Sequence, residues 1–431
     1  MLLNRDIWLL VFEYLQQRDK ANLLLVCRDW YPLFLREVYR TISISGRRVH
    51  FLTRTVRRNP DVATAIRHLD VNLYYLGEVK QDYEVDTIWD EVKANDLGDR
   101  WRESLRVGCP DAWMAVLVLS LDSLTTLSLR FCESYYFMPI VDRIAEGKST
   151  VRALQRLSRV AIHVNSRITM HIATELNPFF LIPAMQVFSA GGVCEEFDWY
   201  TPLKPGTSTI RELDLGGFNT NNGGSSFADY INACVNLEVF DYQHDNKAVW
   251  EETYLDFRPL LFYKALCSQK HSLRKLRLND SGQMEQTGVD EEYEKYIGFG
   301  SLEGFHRLQE LYIPFRTLLQ FGSGEKPGVS LVEVLPHSLE TLCLAHCYPE
   351  DFAYLIQNLE ILLAQREQFP IVKRIQLQLD EIDPREFAPP CFKPLETKCC
   401  GLGVRFGFRL YGRDVDHVYA DMPQIVEAEY Q

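Results

Sequence analysis

One short apolar pattern recurs along most of the 431-residue chain and constrains its fold more than any other feature. Each copy has an apolar residue, two free positions, a second apolar residue, one free position and a third apolar residue. Nine complete copies start at Ile66, Leu124, Leu157, Ile210, Leu237, Leu273, Leu308, Leu339 and Val372. A degenerate tenth copy runs from Met185 through Phe188 to Ala190.

This pattern is typical of the strand of a leucine-rich repeat. Alternate side chains of a short strand point to one face, and the helix or loop that follows closes the coil. Each coil buries its apolar face only against its neighbours, so an array of coils forms a curved solenoid. We therefore predict an α/β fold, with a leucine-rich-repeat solenoid over residues 66–385 and a parallel sheet on its concave face.

The spacing of the copies indicates that the coils are large. Leu276 and Leu311 are 35 residues apart, and Leu311 and Leu342 are 31 apart, whereas standard repeats have roughly 20–29 residues. The coils therefore carry full helices or inserted loops. The largest gap holds an acidic stretch, residues 78–99, which is either a solvated loop or a partner-binding insertion. A proline-rich stretch at 384–394 is expected to stop the solenoid and leave a C-terminal cap and tail at 386–431.

The first forty residues have a different pattern, with two short helical segments joined by a polar turn. The first segment has apolar residues at helical spacing, namely Ile7, Leu10, Val11, Tyr14 and Leu15. The second has Leu23, Val26, Cys27 and Trp30, with Asp19 as the predicted N-cap. Pro32 marks a further break or the first turn of a third helix. So short a unit cannot bury all these side chains internally, so they either pack on the rest of the chain or bind a partner.

This stretch resembles the F-box, the module that docks substrate receptors on the Skp-type adaptor of cullin-based SCF ubiquitin ligases. The matching positions are Leu3, Asp6, Ile7, Val11, Phe12, Leu15, Asp19, Leu23, Val26, Cys27 and Trp30. Asn4 stands where the family usually has proline, and Lys20 stands where it often has an apolar residue. The segment LPHSLETLCLAHC from Leu335 is similar to the repeats of fungal F-box proteins with C-terminal leucine-rich repeats.

The resemblance implies a non-catalytic substrate-recognition subunit of an SCF-type ligase, with an F-box at residues 1–40 and a connecting strand and helix at 41–65. It implies that the F-box docks on the adaptor, and through it on a cullin, while the solenoid holds a target protein. The implied docking residues are Leu3, Ile7, Val11, Phe12, Leu15, Val26, Cys27 and Trp30. Asn4 and Lys20 keep an alternative open, a leucine-rich-repeat scaffold that does not deliver substrates for ubiquitination.

Strand alternation predicts which side chains the solenoid offers to a target. Residues that flank the inward apolar positions point to the concave face. In the better copies these are Glu212, Asp214, Lys275, Arg277, Glu310, Tyr312, Arg374 and Gln376. Tyr312 is the best anchor candidate, because aromatic residues are enriched among interface hot spots. The alternative is that these side chains simply solvate the sheet.

Motifs for catalysis or cofactor binding are not found in the sequence. The tetrapeptide GKST at 147–150 resembles the end of a phosphate-binding loop, but Asp142 stands where that motif needs glycine. No His-Glu-x-x-His pair and no Gly-x-Ser-x-Gly elbow occurs. We therefore expect a protein that is not an enzyme and that needs no cofactor or metal.

Charge and cysteine usage bound the compartment and the partners. The net charge of −13 argues against broad nucleic-acid binding, which needs clustered cations to displace counterions. No apolar stretch approaches the roughly 18 residues of a membrane span, and the first residues, MLLNRDIW, lack the layout of a signal peptide. Eleven cysteines, an odd number, suit reduced thiols. The sequence predicts an intracellular protein of the cytoplasm or nucleus without membrane or nucleic-acid partners.

Overall fold

The structure is a computed structural model that describes most of the chain in fifteen segments. These are residues 10–12, 14–28, 30–73, 85, 100–131, 134–148, 153–163, 171–195, 202–219, 226–244, 257, 259–279, 298–321, 328–380 and 390–410. The chain divides into two compact units. Unit 1 comprises Met1–His171 and Glu175–Phe188, and unit 2 comprises Ile172–Thr174 and Ser189–Gln431.

Unit 1 begins with helices and continues with strands that alternate with helices. Its helices are α1 (Gln17–Leu23), α2 (Trp30–Arg40), α3 (Val49–Arg58), α4 (Pro60–Ala65), α5 (Arg100–Arg106), α6 (Pro110–Leu119), α7 (Phe137–Ala145) and α8 (Asn177–Phe180). Its strands are β1 (Thr41–Ser45), β2 (His68–Asn72), β3 (Thr126–Arg130) and β4 (Arg159–His163). Strand β1 pairs with β2, β2 with β3 and β3 with β4, all in parallel. Two further strands are β5 (His171–Ile172) and β6 (Val187–Ala190). The chain passes from unit 1 to unit 2 within each of them, after His171 and after Phe188.

Unit 2 repeats the same alternation. Its strands are β7 (Val193–Cys194), β8 (Glu212–Asn219), β9 (Val239–His244), β10 (Lys275–Asn279), β11 (Glu310–Pro314), β12 (Thr341–Cys347), β13 (Arg374–Leu379) and β14 (Arg405–Leu410). Its helices are α9 (Ser226–Ala233), α10 (Pro259–Leu266), α11 (Phe315–Leu318), α12 (Leu331–Val334), α13 (Phe352–Ala364) and α14 (Lys393–Gly401). Strands β8 to β14 pair in parallel and in chain order.

A repeated main-chain contact links successive coils. In unit 2 the carbonyl of Glu238, just before β9, accepts hydrogen bonds from the amides of Arg274 and Lys275. The carbonyl of Arg274, just before β10, accepts in the same way from Gln309 and Glu310. The acceptors that precede a strand and take two amides of the next coil are Arg67, Thr125 and Ser158 in unit 1 and Arg211, Glu238, Arg274, Gln309 and Glu340 in unit 2.

The strand predictions are confirmed by this architecture. Every complete copy of the apolar pattern carries a strand, and the degenerate copy carries β6. The middle apolar residues lie opposite one another, as where Leu276 pairs with Phe240 and Leu311, and all three are buried. Buried apolar residues directed away from water on one face of each strand supply the main stabilising free energy.

Two limits of the predicted solenoid are corrected by the structure. The proline-rich stretch does not end the array, because β14 lies beyond it and pairs in parallel with β13 over six residues. At the other end, β1 pairs with β2 from Thr41 opposite His68, so the strand predicted as a connector belongs to the array. Strand β14 thus adds a coil strand to unit 2, and β1 adds one to unit 1.

The N-terminal helices form their own small core. Phe12, Phe34 and Val38 are buried together. Partly buried apolar side chains pack against them, namely Leu23, Leu24, Trp30 and Tyr39. Asp19 does not cap α1 as predicted, because the N-cap residue is Gln16 and Asp19 lies in the first turn, where its charge favours the positive end of the helix dipole. The second predicted helical segment is split, since α1 ends at Leu23 and α2 starts at Trp30 with Pro32 in its first turn.

Candidate partner-binding surfaces

The first 26 residues expose several large apolar side chains to solvent. They are between 44% and 89% exposed, and we call them the N-terminal apolar residues: Leu10, Val11, Tyr14, Leu25 and Val26. Leu10, Val11 and Tyr14 precede α1 in the sequence, and Leu25 and Val26 follow it. None of the five belongs to the small core around Phe34. Apolar side chains that a fold leaves this open are typical of surfaces that another molecule covers.

Six of the eight predicted docking residues fall into three groups in the structure, and the other two are Phe12 and Trp30. Val11, Val26 and Cys27 are exposed, as the docking prediction requires. Leu15 is half-buried. Leu3, Ile7 and Asn4 lie outside the described residues. Leu10, Tyr14 and Leu25 are exposed too, although they were not among the predicted docking residues.

Phe12 and Trp30 hold the N-terminal helices together and are not free to meet a partner fully. The Phe12 ring is only 4% exposed and stacks on Phe34 with 5.1 Å between centroids. Trp30 meets Phe34 edge-on with 5.6 Å between centroids. Aromatic pairs in these geometries stabilise a core by about 0.5–1.5 kcal/mol beyond the burial of area. The prediction that Phe12 itself contacts the adaptor is therefore corrected, because its ring faces inward.

Lys20 occupies a defined place beside this core. Its Nζ lies over the Phe12 ring, 5.0 Å from the centroid. An ammonium over a ring face is attracted by the electrons of the ring, while its methylene stem covers apolar surface. The lysine that replaces an apolar residue of the F-box pattern therefore still packs on the core through its stem.

All eight predicted target-binding residues of unit 2 lie on two adjacent rows across the strands. The outer row runs Glu212, Val239, Lys275, Glu310, Thr341, Arg374 and Arg405. The inner row runs Asp214, Asp241, Arg277, Tyr312, Cys343, Gln376 and Gly407. Because residues two apart on a strand share a face, both rows belong to one surface. We call it the strand face of unit 2.

The centre of the strand face holds a cation between a carboxylate and an aromatic ring. Nε of Arg277 lies 3.8 Å from Oδ1 of Asp241. The guanidinium carbon lies over the Tyr312 ring, 4.7 Å from its centroid. On the outer row Lys275 and Glu310 approach within 3.6 Å, although both are largely exposed. Arg277 is more enclosed than Lys275, so its contacts are less screened by water.

Two neighbouring carboxyl groups beside Arg277 resist ionisation. The pKa of Asp241 is raised to about 7, mainly by burial and also by the negative charge of Asp214, while Arg277 and Lys275 oppose the change. Burial also raises the pKa of Asp214, against hydrogen bonds from Ser189 and the Gly216 backbone. Like charges in adjacent register disfavour double ionisation. Near neutral pH the strand face therefore carries less negative charge than its carboxyl count indicates.

A buried hydrogen-bond network lies beside the inner row and joins four strands or strand ends. The Tyr312 hydroxyl donates to Oε1 of Gln378 at 2.5 Å and lies 3.5 Å from Oδ1 of Asn279. His346 reaches Oδ1 of Asn279 through Nε2 at 2.8 Å and Oδ2 of Asp380 through Nδ1 at 2.6 Å. His346 has a φ of 50°, a left-handed conformation that a non-glycine residue adopts only when its surroundings fix it.

This network changes the interpretation of Tyr312. Its side chain is 7% exposed, its hydroxyl is engaged by Gln378, and its ring supports Arg277. Tyr312 therefore positions Arg277 more than it offers a surface of its own. Sequence reasoning missed the network because its members meet across separations such as 66 and 67 residues. It also missed Asp241, which the copy starting at Leu237 places at the same point as Asp214.

Metal and membrane features are not found in the part of the chain that the structure describes. Within it, no group of three or more His, Cys, Asp or Glu side chains is arranged to hold a metal ion. None of its helices combines the length and the hydrophobicity needed to cross a membrane. At the phosphate-loop-like tetrapeptide, α7 ends at Ala145 and Lys148 is exposed, paired with Glu146 at 2.7 Å.

Comparison with known families agrees with the coil architecture. A family model described as a leucine-rich repeat domain matches residues 85–377, which is more than half of the chain. No protein among the curated proteins matches the chain. The matched range includes β3, β4, β6 and the strands from β8 to β12, together with the inner row around Arg277.

Proposed function

Because the chain belongs to the leucine-rich repeat domain family, whose solenoids present extended binding surfaces, we propose that it is the substrate-recognition subunit of an SCF-type ubiquitin ligase. The repeat domain supports a role in protein interaction. The N-terminal helices would dock on the Skp-type adaptor, and the strand face of unit 2 would hold a target protein. The cullin would be reached through the adaptor.

The mechanism is tethering without chemistry on this chain. A target held on the strand face would be kept close to the activated ubiquitin that other subunits carry. Holding two reactants together raises their effective concentration, so transfer accelerates without a catalytic group on the receptor. No cofactor or metal is required for this role, and we expect the protein to act inside the cell.

The N-terminal apolar residues are the observation that carries the proposal. Five large apolar side chains within 26 residues remain open to water while the adjacent core is already filled. Covering each fully would stabilise a complex by roughly 1.5–3 kcal/mol before the cost of association. The same stretch has the F-box resemblance, with Val11, Val26 and Cys27 both matched and exposed.

The test is binding to a purified Skp-type adaptor, measured with immobilised adaptor. We expect the wild-type chain to bind and the Leu25→Asp, Val26→Asp double variant to lose at least about tenfold in affinity, because charge is placed on the apolar surface. A matched control is Val235→Asp, Leu402→Asp, which changes two exposed apolar residues of unit 2 and should bind like wild type.

The outcome also separates the alternative role. If a well-folded wild-type chain does not bind the adaptor, the receptor proposal is wrong. The protein would then be a leucine-rich-repeat scaffold that delivers no substrate. Equal losses in the test and control variants would point to general instability, which thermal unfolding of each variant resolves.

A further inference from the structure

One segment of unit 1 has a charge opposite to that of the whole chain. Residues 36–58 contain seven arginines, no lysine and one carboxylate, Glu37. Glu37 pairs with Arg40 at 3.7 Å. The segment therefore has a formal charge of +6, seven minus one, within a chain of net charge −13. A surface that only contacts water does not need its positive charges gathered in one segment. The location of these arginines therefore indicates where a negatively charged partner would bind.

Helix α3 brings part of this charge onto one exposed face. Its opposite face is buried, where Thr53 Oγ1 donates to the Val49 carbonyl and lies 3.5 Å from the Trp113 carbonyl of α6. The exposed face of α3 and the short 3-10 turn before it (Gly46–Arg48) carry a set of residues at spacings of three and four, of which Arg54 is half-buried and the others are exposed. We call this set the arginine stripe: Arg47, Arg48, Phe51, Arg54 and Arg58. Among the described residues, no carboxylate pairs with Arg48 or Arg58.

Phe51 lies at the centre of the arginine stripe and is 60% exposed. A large aromatic ring between guanidinium groups gives the stripe an apolar contact point as well as positive charge. Interfaces are enriched in both aromatic residues and arginine. The combination fits a ligand that offers negative groups on either side of an apolar side chain.

We propose that the arginine stripe binds an acidic protein segment, rich in Asp and Glu, with an apolar residue seated on Phe51. Guanidinium groups bind carboxylates through two parallel hydrogen bonds, which an ammonium cannot reproduce. All four cations of the stripe are arginines. From Arg47 in the 3-10 turn to Arg58 at the end of α3, the stripe is about 16 Å long. This length matches about five residues of extended peptide. The proposal does not depend on adaptor binding, and its test uses no adaptor.

The charge of the whole chain favours a short acidic segment over an extended polyanion. Duplex nucleic acid and anionic membranes present charge well beyond the stripe, where they would meet a chain of net charge −13. At physiological salt this repulsion acts over roughly a Debye length of 8 Å. It therefore weakens binding wherever an extended polyanion lies close to the chain beyond the stripe. A five-residue acidic segment stays within the positive surface.

The experiment measures fluorescence anisotropy of a labelled eight-residue peptide of glutamates with one central phenylalanine, mixed with the full chain. Matched probes are the same peptide with glutamine for glutamate, a sixteen-base-pair DNA duplex and vesicles containing phosphatidylserine. The test variant is Arg48→Gln, Arg54→Gln, Arg58→Gln. The control variant, Arg100→Gln, Arg156→Gln, Arg307→Gln, removes the same charge from exposed arginines elsewhere.

We expect the acidic peptide to bind wild type, and the test variant to weaken binding about tenfold, because it removes three guanidinium groups that each pair with a carboxylate of the peptide. The control variant should differ from wild type less than about twofold. Three arginine-to-lysine changes at 48, 54 and 58 should give an intermediate loss, since charge remains and the paired hydrogen bonds do not. Phe51→Ser should weaken the phenylalanine peptide and leave an all-glutamate peptide unchanged.

Three results would overturn the proposal. Equal weakening by the test and control variants would show that only net charge matters. Tighter binding of the DNA duplex or of the vesicles than of the acidic peptide would assign the stripe to another class of partner. Absence of peptide binding by folded wild type at low salt would exclude an acidic segment altogether.

Discussion

The guanidinium carbon of Arg277 lies 4.7 Å from the centroid of the Tyr312 ring, on the neighbouring strand of the strand face. On its other side the same guanidinium lies 3.8 Å from Asp241. A cation held between a ring and a carboxylate loses rotamer freedom before any partner arrives. Preorganisation of this kind lowers the entropy lost on binding. Arg277 is thus the residue of the strand face that is best prepared to meet a target.

Substitutions at Tyr312 should separate the hydroxyl from the ring. We expect Tyr312→Phe to lower the free energy of unfolding by about 1–2 kcal/mol, because Gln378 loses its donor while the ring still supports Arg277. Tyr312→Leu should lower it further, by about 2–4 kcal/mol in total, since ring packing is lost as well. Urea unfolding measures the free energy of unfolding of both variants and of wild type. Equal values for the two variants would show that the ring beneath Arg277 contributes nothing measurable.

The raised pKa of Asp241 predicts a pH dependence of stability. Its pKa is about 7 in the folded protein and about 3.9 in an unfolded chain, so the folded state holds the proton more tightly. Between about pH 4 and pH 7 the free energy of unfolding therefore falls as pH rises, with an upper bound of about 4 kcal/mol. Asp241→Asn should remove most of this slope.

Unfolding midpoints at pH 5, 6, 7 and 8 provide the measurement for Asp241. Glu310→Gln serves as a control, because Asp241 is still present in that variant and the slope should persist. A wild-type midpoint that stays level from pH 5 to pH 8, with the same profile in Asp241→Asn, would contradict the argument.

Phe34 should be the most sensitive position of the N-terminal helices. Its side chain is fully buried, and it contacts both Phe12 and Trp30. We expect Phe34→Ala to destabilise these helices by about 3–5 kcal/mol through lost packing and the cavity left behind. Hydrogen exchange over residues 10–40 should then become much faster. Phe51→Ala is the control, because the exposed Phe51 ring contributes little to packing, and its exchange rates should match those of wild type.

The left-handed backbone at His346 gives a diagnostic pair of variants. His346→Ala removes the ring that lies within hydrogen-bond distance of Asp380 Oδ2 and Asn279 Oδ1, and it should cost about 2–4 kcal/mol of stability. His346→Gly loses the same hydrogen bonds but relieves the backbone, where a side chain costs roughly 1–2 kcal/mol. We therefore expect the glycine variant to be the more stable of the two by about 1 kcal/mol. Thermal unfolding decides the order, and an alanine variant more stable than the glycine variant would rule out strain at this position.

The strands were predictable because each copy of the apolar pattern alternates with a period of two and marks its own buried face. The strands β1 and β14 are instructive exceptions. At β14 the first apolar position of the pattern is Gly403, with Phe406 and Phe408 following. At β1 it is Tyr39, with Ile42 and Ile44 following. The copy at β14 therefore departs from the pattern at its first position, whereas the copy at β1 fits the pattern and lies in the strand that was predicted only as a connector.

The candidate surfaces were only partly predictable. Helical spacing identified the apolar positions of the N-terminal helices, but it does not say what covers each one, and Phe12 is covered by Phe34 while Val26 is not. Strand alternation identified Arg277 and Asp214 on the strand face. It gave no sign of His346 or Gln378, because a network across several coils depends on register and on a backbone bend at His346.

The paired hydrogen bonds that one carbonyl before a strand accepts from two amides of the next coil involve no side chain. They recur although successive acceptor positions in unit 2 are 27 residues apart between Arg211 and Glu238 and 36 apart between Glu238 and Arg274. The position of each coil relative to the next is thus set by backbone hydrogen bonds, while the segments between the acceptors can differ in length and sequence. During evolution, one such segment can therefore be lengthened, shortened or exchanged, which changes the recognition surface while the backbone contacts between coils are kept.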